Sequence, residues 1–152
     1  MPEKNTAHSL KVLHLSSERN LRGGEIQIQL LIEEQLKDPS LEVHLISRER
    51  SAMADWQQQQ AVRGTTAGFL NSLDVLTARK IANYAKAQQI ELIHAHTSRG
   101  HSAAYLAGLF GCGVPIVVHR RVTFAPSGSW LSKRKYNSQR VRALICISEA
   151  VR

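Results

Sequence analysis

The sequence predicts an α/β fold: one domain built on a doubly wound, mostly parallel sheet. Three observations support this prediction. The chain of 152 residues contains short apolar runs, rich in Val, Ile and Leu, that are continuous rather than alternating, which is typical of strands covered on both faces. Helical patterns separate these runs. The connections are short, so that strand, helix and strand repeat as right-handed crossovers.

The predicted strands are bounded by turn or helix-cap residues. In chain order they cover residues 11–15, 42–46, 92–95, 115–118 and 143–147. All five, including the last, are predicted to be buried. Residues 1–10 are predicted to form a flexible N-terminus, and the domain covers residues 11–152.

The first predicted helix covers residues 25–36. It places four apolar residues on one face, namely Ile28, Leu31, Ile32 and Leu36. Pro39 keeps Asp38 out of the helix and so ends it. Because Ile and Gln alternate over residues 26–30, a strand is the alternative interpretation.

Residues 47–72 form a less regular stretch that is too long for a bare loop in a compact domain. We expect a short helix over residues 52–60 and a weak strand near residues 61–69. The four glutamines at 57–60 are interpreted as a solvated helix end.

Two further helices are predicted from their caps and spacing. One starts after Asp74, a good N-cap, and runs to about Gln89. Its apolar positions recur at helical spacing, at Val75, Ala78, Ala82 and Ala85. The other covers residues 101–110 and is ended by Gly111 and Gly113.

The end of the chain indicates an interrupted element. Ser148 is a suitable N-cap and Glu149 a favourable acid in a first turn, but the sequence ends at Arg152. We therefore expect either that these residues are part of a longer polypeptide or that they end in an unpacked stub.

The net charge of +8 is unevenly distributed. Residues 1–119 hold 12 basic and 11 acidic residues, whereas residues 120–152 hold eight basic residues and one acidic residue. This asymmetry indicates an anionic partner, which could be nucleic acid, a membrane surface or a phosphorylated substrate. Residues 130–142 are predicted to form a basic amphipathic helix on such a partner, or else a solvated helix face.

Several classes of protein are excluded by composition and motifs. The two cysteines are too few for a disulfide framework or a zinc site. No apolar run approaches the ~18 residues of a membrane span, and the polar start is unlike a signal peptide, so we expect a cytoplasmic protein. Dinucleotide-binding, P-loop and nucleophile-elbow motifs are missing, as are paired carboxylates for glycoside hydrolysis.

The candidate site residues follow the strands, because ligands of open parallel sheets bind outside the carboxyl ends of the strands. Gly23 and Gly24 precede a helix, where the backbone can approach a phosphate, although a flexible loop is the alternative interpretation. His119, Arg120 and Arg121 leave the predicted strand at residues 115–118 together. Guanidinium groups recognise carboxylate or phosphate, although ordinary surface charge is the alternative interpretation.

Three histidines, His94, His96 and His101, follow the strand at residues 92–95. A metal site is conceivable there, because positions 94 and 96 share one face of the strand. No carboxylate accompanies them, so we expect hydrogen bonds at a strand end and no metal.

Five segments in this order resemble the amino-terminal domain of the family 4 glycosyltransferases, which are retaining enzymes of the two-domain GT-B fold. The segments are KVLHL at 11–15, RGG at 22–24, IELIHAH at 90–96, PIVVH at 115–119 and CISE at 146–149. The resemblance covers residues 11–152 and implies a Rossmann-like domain, the N-terminal half of a GT-B architecture.

The resemblance also implies a reaction and roles for individual residues. The substrates would be a nucleotide sugar and a glycan or lipid-linked acceptor in the synthesis of cell-surface polysaccharide or lipopolysaccharide, without a cofactor or metal. His119 would be catalytic, through contact with the transferred sugar, and Gly23 and Gly24 would bind the donor. The implied acceptor-binding residues are His96, Arg99, Arg120 and Arg121.

The family's carboxyl-terminal, donor-binding domain is absent from these 152 residues. We therefore expect the chain alone to bind nucleotide sugar weakly and to transfer nothing measurable. The implied location is the cytoplasm, with peripheral contact at the anionic inner face of the cell membrane. The alternative is a non-catalytic basic module for nucleic acid or anionic membrane, but aromatic residues are only 5% and do not interleave with arginines, so no nucleic acid is expected.

Overall fold

Six parallel strands form one sheet in this computed structural model, which describes residues 8–121 and 128–146. The strands are β1 (Leu10–Ser16), β2 (Leu41–Arg48), β3 (Arg63–Ala67), β4 (Leu92–Ala95), β5 (Ile116–Arg120) and β6 (Val141–Cys146). Their order across the sheet is β3-β2-β1-β4-β5-β6, and every neighbouring pair is parallel. The order therefore reverses between β1 and β4, and the crevice at such a reversal is where open α/β sheets bind ligands.

Helices connect the strands of the described residues. They are α1 (Gly23–Gln35), α2 (Ala52–Gln59), α3 (Val75–Gln88), α4 (Ser98–Leu106) and α5 (Trp130–Tyr136). A 3-10 turn over Ala107–Phe110 extends α4 and ends at Gly111, whose φ of 81° is easy for glycine. The predicted doubly wound α/β fold is confirmed, and the segment after β1 is a helix rather than a strand. None of the described helices is long and apolar enough to cross a membrane.

The core lies on both faces of the sheet. Because side chains alternate along a strand, Leu45 and Ile46 of β2 point to opposite faces. Leu45 joins Ile28 and Ile32 of α1 on one face, and Ile46 belongs to the cluster that contains Ile81 of α3 on the other. The sheet is thus covered on two sides, as the continuous apolar runs predict.

Side-chain caps fix where the helices begin. The Asp74 carboxylate accepts a hydrogen bond from Thr77 N at 3.0 Å, as the sequence predicts. Ser51 and Thr97 cap α2 and α4 in the same way. Thr97 thereby holds the first turn of α4 at the end of β4.

The predicted burial is wrong at three helical positions. Leu36 and Val75 are exposed, because the buried faces of their helices are centred on Ile32 and Ile81. Gln57 is buried rather than solvated. Its amide donates to Leu45 O at 2.9 Å and accepts from Ser47 Oγ at 2.6 Å, which satisfies its polar atoms inside the domain.

The predictions for the C-terminal part need two corrections. The predicted helix over residues 130–142 ends at Tyr136, because residues 141–146 pair with β5 as β6. The strand itself is not buried: four of its six residues are exposed, since β6 is at the edge of the sheet. The helix start predicted at Ser148 and Glu149 lies outside the described residues.

Candidate functional site

A cleft of about 680 Å³ opens at the carboxyl ends of β1, β4 and β5. Its walls are the start of α1, the β4–α4 connection, the end of β5 and one face of α5. Five of the seven residues to which the family resemblance assigns roles line it, namely Gly24, His96, His119, Arg120 and Arg121. Two do not: Gly23 is exposed beside the cleft, and Arg99 is exposed on the first turn of α4.

Four imidazoles stand side by side at the cleft: those of His96 and His119 line it, and those of His14 and His94 lie behind them. The rings of His94, in β4, and His96, just after it, lie on the same side of the chain, as predicted, with ring centres 3.9 Å apart. His119 of β5 lies 5.7 Å from His94 and 5.8 Å from His96. His14 of β1 lies 5.1 Å from His96 on the other side. Parallel pairing of β1, β4 and β5 therefore brings these histidines together, since equivalent faces of neighbouring strands coincide.

A chain of hydrogen bonds fixes two of these rings. His14 Nε2 contacts Gln35 Oε1 at 2.7 Å, and His14 Nδ1 contacts His96 Nε2 at 2.8 Å. The carbonyl oxygen of Gln35 only accepts, so the proton of neutral His14 is on Nε2 and its Nδ1 accepts. His96 must then donate through Nε2, which leaves its Nδ1 as the acceptor facing Arg121 Nη2 at 3.4 Å.

Burial keeps the four rings neutral. It lowers the pKa of His14 to about 4 and that of His94 to about 3, and it holds the pKa of His96 well below its usual range. Burial and then the charge of Arg121 lower the pKa of His119. A neutral imidazole both donates and accepts, so the exposed part of this group suits hydroxyl ligands such as those of a sugar.

Arg121 connects β5 to the start of α1. Its Nη1 donates to Gly24 O, and its Nη2 lies 3.5 Å from His119 Nδ1. A Cβ on Gly24 would stand 3.1 Å from Arg121 Nη1, so glycine permits this close approach, whereas Gly23 has open space around it. Burial lowers the pKa of Arg121 and Glu25 opposes that effect, so the group stays cationic in the cleft.

Lys135 is a cleft residue that the sequence does not reveal. It is 4% exposed, although its place in a basic run predicts a solvated or partner-facing side chain. Its Nζ donates to Ser98 Oγ at 2.9 Å, to Ser98 O at 3.2 Å and to Ser102 Oγ at 3.1 Å. Burial lowers the pKa of Lys135 to about 8. The neighbouring sequence does not distinguish Lys135 from Lys133, because the residues that bind the Lys135 ammonium group belong to α4.

The described residues include one group with the spacing of metal ligands, formed by His14, His94 and His96 with ring nitrogens within 4.8 Å of one another. His101, which the sequence places near His94 and His96, does not belong to this group, because its Nε2 contacts Lys135 O at 3.1 Å instead. His14 is missed by the sequence, although its register opposite His94 follows once β1 and β4 are paired.

The three imidazoles suit a cation poorly. His14 and His96 direct two of the ring nitrogens at each other, no carboxylate belongs to the group, and the cationic Arg121 is next to His96. The expected absence of a metal stays a prediction.

Comparisons with known proteins agree with this architecture. The sequence model of Glycosyltransferase Family 4 matches residues 21–152. No curated protein sequence matches the chain significantly. Among solved structures, HepE of Anabaena in complex with UDP is similar with a TM-score of 0.69 and 17% identity, over 93% of this chain and 39% of that chain.

Two further solved structures are similar at 10% identity. MurG of Acinetobacter baumannii has a TM-score of 0.61 over 90% of this chain and 41% of that chain. A putative UDP-N-acetylglucosamine 2-epimerase of Listeria monocytogenes has a TM-score of 0.62 over 94% of this chain and 40% of that chain. The chain thus spans about two fifths of the length of these proteins, and the similarity confirms the Rossmann-like half of a GT-B architecture.

Proposed function

The chain belongs to glycosyltransferase family 4, and from this premise we propose that it is the acceptor-side domain of a retaining enzyme. The enzyme moves a sugar from a nucleotide sugar to a glycan or lipid-linked acceptor. We further propose that this acceptor belongs to cell-surface polysaccharide or lipopolysaccharide and is met at the inner face of the membrane. No cofactor or metal takes part in this proposal.

The observation that carries the proposal is the composition of the cleft. Neutral His96 and His119 stand beside the cationic Arg121 at the reversal point of the sheet. Neutral imidazoles bind sugar hydroxyls, and a guanidinium binds a phosphate oxygen. A nucleotide sugar presents these two chemistries next to each other. The solved HepE structure, which contains UDP, gives the proposal further support.

Each predicted site residue keeps a role in the proposal. His119 hydrogen-bonds the transferred sugar, and the backbone N–H groups of Gly23 and Gly24 stabilise charge on the leaving diphosphate or orient the sugar. The acceptor is positioned by side chains at the ends of β4 and β5 and on α4, namely His96, Arg99, Arg120 and Arg121.

The test is a titration of the 152-residue chain with UDP and with UDP-glucose, followed by amide NMR. We expect weak binding, with the largest shifts at Gly24, His119 and Arg121, and no release of UDP from the sugar nucleotide. His119→Ala should weaken UDP-glucose binding more than UDP binding, because only the sugar nucleotide presents sugar hydroxyls. His8→Ala, an exposed histidine at the other end of β1, is the matched control.

Two results would contradict the proposal. Amide NMR shifts that occur only at residues outside the cleft would contradict the assignment of a donor-binding role to it. Turnover of UDP-glucose by the purified chain would show that these residues suffice for catalysis, which is contrary to an acceptor-side domain.

A further inference from the structure

Three arginines follow three adjacent strands at the carboxyl edge of the sheet. Arg19 follows β1, Arg48 ends β2 and Arg99 lies in the first turn of α4, just after β4. Since β1 is paired with both β2 and β4, the parallel topology brings the three residues to one place. This place is next to the reversal point of the sheet and borders the cleft at Glu18 and Thr97.

Local contacts tie the three backbones together. Arg48 Nη1 donates to Ser17 O at 3.4 Å, which directs the Arg48 side chain towards the residues that follow β1. Ser17 Oγ and Thr97 Oγ1 are 2.6 Å apart, and Thr97 caps the helix that carries Arg99. Arg19 O accepts from Ala52 N at 3.0 Å, so the loop after β1 is held against the start of α2.

The charges of the three arginines are not neutralised within the described chain. None of the three guanidiniums makes an ion pair with a described carboxylate. Burial, and then the charges of Arg19 and Arg99, lower the pKa of Arg48, while Glu18 opposes this effect. Like charges brought this close repel each other, and an anion bound between them would relieve the repulsion.

We propose that Arg19, Arg48 and Arg99 form a phosphate-binding subsite, separate from the Arg121 cleft, that holds a phosphate group of the acceptor. Guanidinium forks pair with phosphate oxygens, and three guanidinium groups placed after neighbouring strands supply enough donors for the several oxygens of a phosphate. Three guanidiniums and Glu18 leave the group with a net charge that favours a dianion. Phosphate binding stands on this arrangement alone, whereas the assignment to the acceptor rests on the proposed function.

The experiment compares two double variants that remove the same charge. Arg48→Gln with Arg99→Gln removes two members of the subsite. Arg79→Gln with Lys80→Gln removes two exposed cations of α3 that are away from it. Inorganic phosphate is titrated at constant ionic strength, with amide NMR shifts at Ser17 and Thr97 as the signal. We expect phosphate to bind about tenfold more weakly to the subsite variant than to the control variant.

A second arm identifies the source of the phosphate. Vesicles of phosphatidylcholine with and without phosphatidic acid are incubated with the same variants and separated by flotation. If only the subsite variant loses binding to phosphatidic acid vesicles, the result supports the subsite with a lipid headgroup as its ligand. Loss of inorganic phosphate binding without any vesicle binding supports it with a soluble acceptor.

Equal affinities in the two double variants would overturn the subsite. Should Arg48→Gln prevent folding, Arg19→Gln with Arg99→Gln serves instead, because both of these side chains are exposed. A UDP titration of the same samples separates this inference from the proposed function. If UDP shifts the amide signal of Gly24 but inorganic phosphate does not shift that of Ser17, the subsite alone is overturned. If phosphate shifts the Ser17 signal but UDP does not shift the Gly24 signal, the proposed function alone is overturned.

Discussion

Individual histidines, buried or half-buried, determine what the cleft can recognise. His96 and His119 face the cleft as neutral rings, because burial opposes their protonation. Gln35 and His14 lie behind His96 and set which of its nitrogens carries the proton. The proposed sugar contact therefore depends on two side chains that do not line the cleft.

The first prediction concerns the tautomers of this chain of hydrogen bonds. His14 and His96 should both carry their proton on Nε2, because Gln35 Oε1 accepts from His14 and His14 Nδ1 accepts from His96. Long-range ¹H–¹⁵N NMR of the rings at pH 7.5 measures this directly. Gln35→Leu should broaden or shift the NMR signals of the His96 ring nitrogens, although Gln35 does not contact that ring. A proton on Nδ1 of His96 would contradict the geometry.

The second prediction concerns acid stability. Burial lowers the pKa of His14 to about 4 and the pKa values of His94 and His101 to about 3, against 6.5 in the unfolded chain. Below pH 6.5 the unfolded state therefore binds protons that the folded state does not. As the pH is lowered below 6.5, the free energy of unfolding should therefore decrease by up to about 1.4 kcal/mol per pH unit for each of these histidines.

Urea unfolding followed by circular dichroism between pH 7.5 and 4.5 tests this dependence. His101→Phe should reduce the slope, whatever its effect on stability at pH 7.5, because one buried imidazole is removed. Phe69→Leu, which removes buried volume but no imidazole, is the control and should leave the slope intact. Equal slopes in the two variants would exclude buried imidazoles as the cause.

At the residue level, the sequence reveals groups that follow strands and misses groups that packing brings in. His96, His119 and Arg121 are predictable, because residues after parallel strands meet at one edge. His14 lies inside β1 and becomes visible only when the register with β4 is known. Lys135 needs the packing of α5 on α4, which a local pattern does not contain.

Among the elements, the connection between α5 and β6 differs most from its prediction. The basic composition of residues 130–142 suggests one amphipathic helix, but the chain turns after Tyr136 and pairs with β5. Arg140, in the turn before β6, stabilises this connection. Its guanidinium donates to Ala104 O at 2.8 Å and to Val114 O at 3.0 Å, which satisfies carbonyls at the end of α4 and before β5.

The third prediction is that Arg140 is a structural cation. Arg140→Ala should lower the free energy of unfolding by about 2 kcal/mol, because it leaves the carbonyl groups of Ala104, Tyr105 and Val114 without their charged donor. Arg140→Lys should recover little of this loss, since an ammonium cannot reproduce the fork. Arg142→Ala removes the same charge from an exposed position two residues away and should change stability by less than about 0.5 kcal/mol. Similar losses in both alanine variants, measured by urea unfolding, would refute the assignment.

For the molecule as a whole, the uneven charge has a more specific meaning than the sequence suggests. Lys135 and Arg140 belong to the basic C-terminal segment, but their cationic groups are directed at internal carbonyls and hydroxyls. Arg121 is directed at Gly24 and the cleft. Part of the basic excess therefore holds the fold together, which weakens the alternative of a basic tail that binds nucleic acid. Arg19, Arg48 and Arg99, which form no ion pair with a described carboxylate, lie within residues 1–119, where the charge is almost balanced.

The fourth prediction follows from the edge of the sheet. No described strand pairs with the outer side of β6, and Leu144 and Ile145, which are 43% and 41% exposed, point to opposite faces. An exposed apolar edge strand is a template for pairing with another chain. The 152-residue chain should therefore self-associate as its concentration rises in sedimentation velocity, and Leu144→Lys with Ile145→Lys should keep it monomeric. Leu70→Lys with Leu73→Lys adds the same charge at other exposed leucines and should not; equal effects of the two pairs would show that charge, and not the edge, controls association.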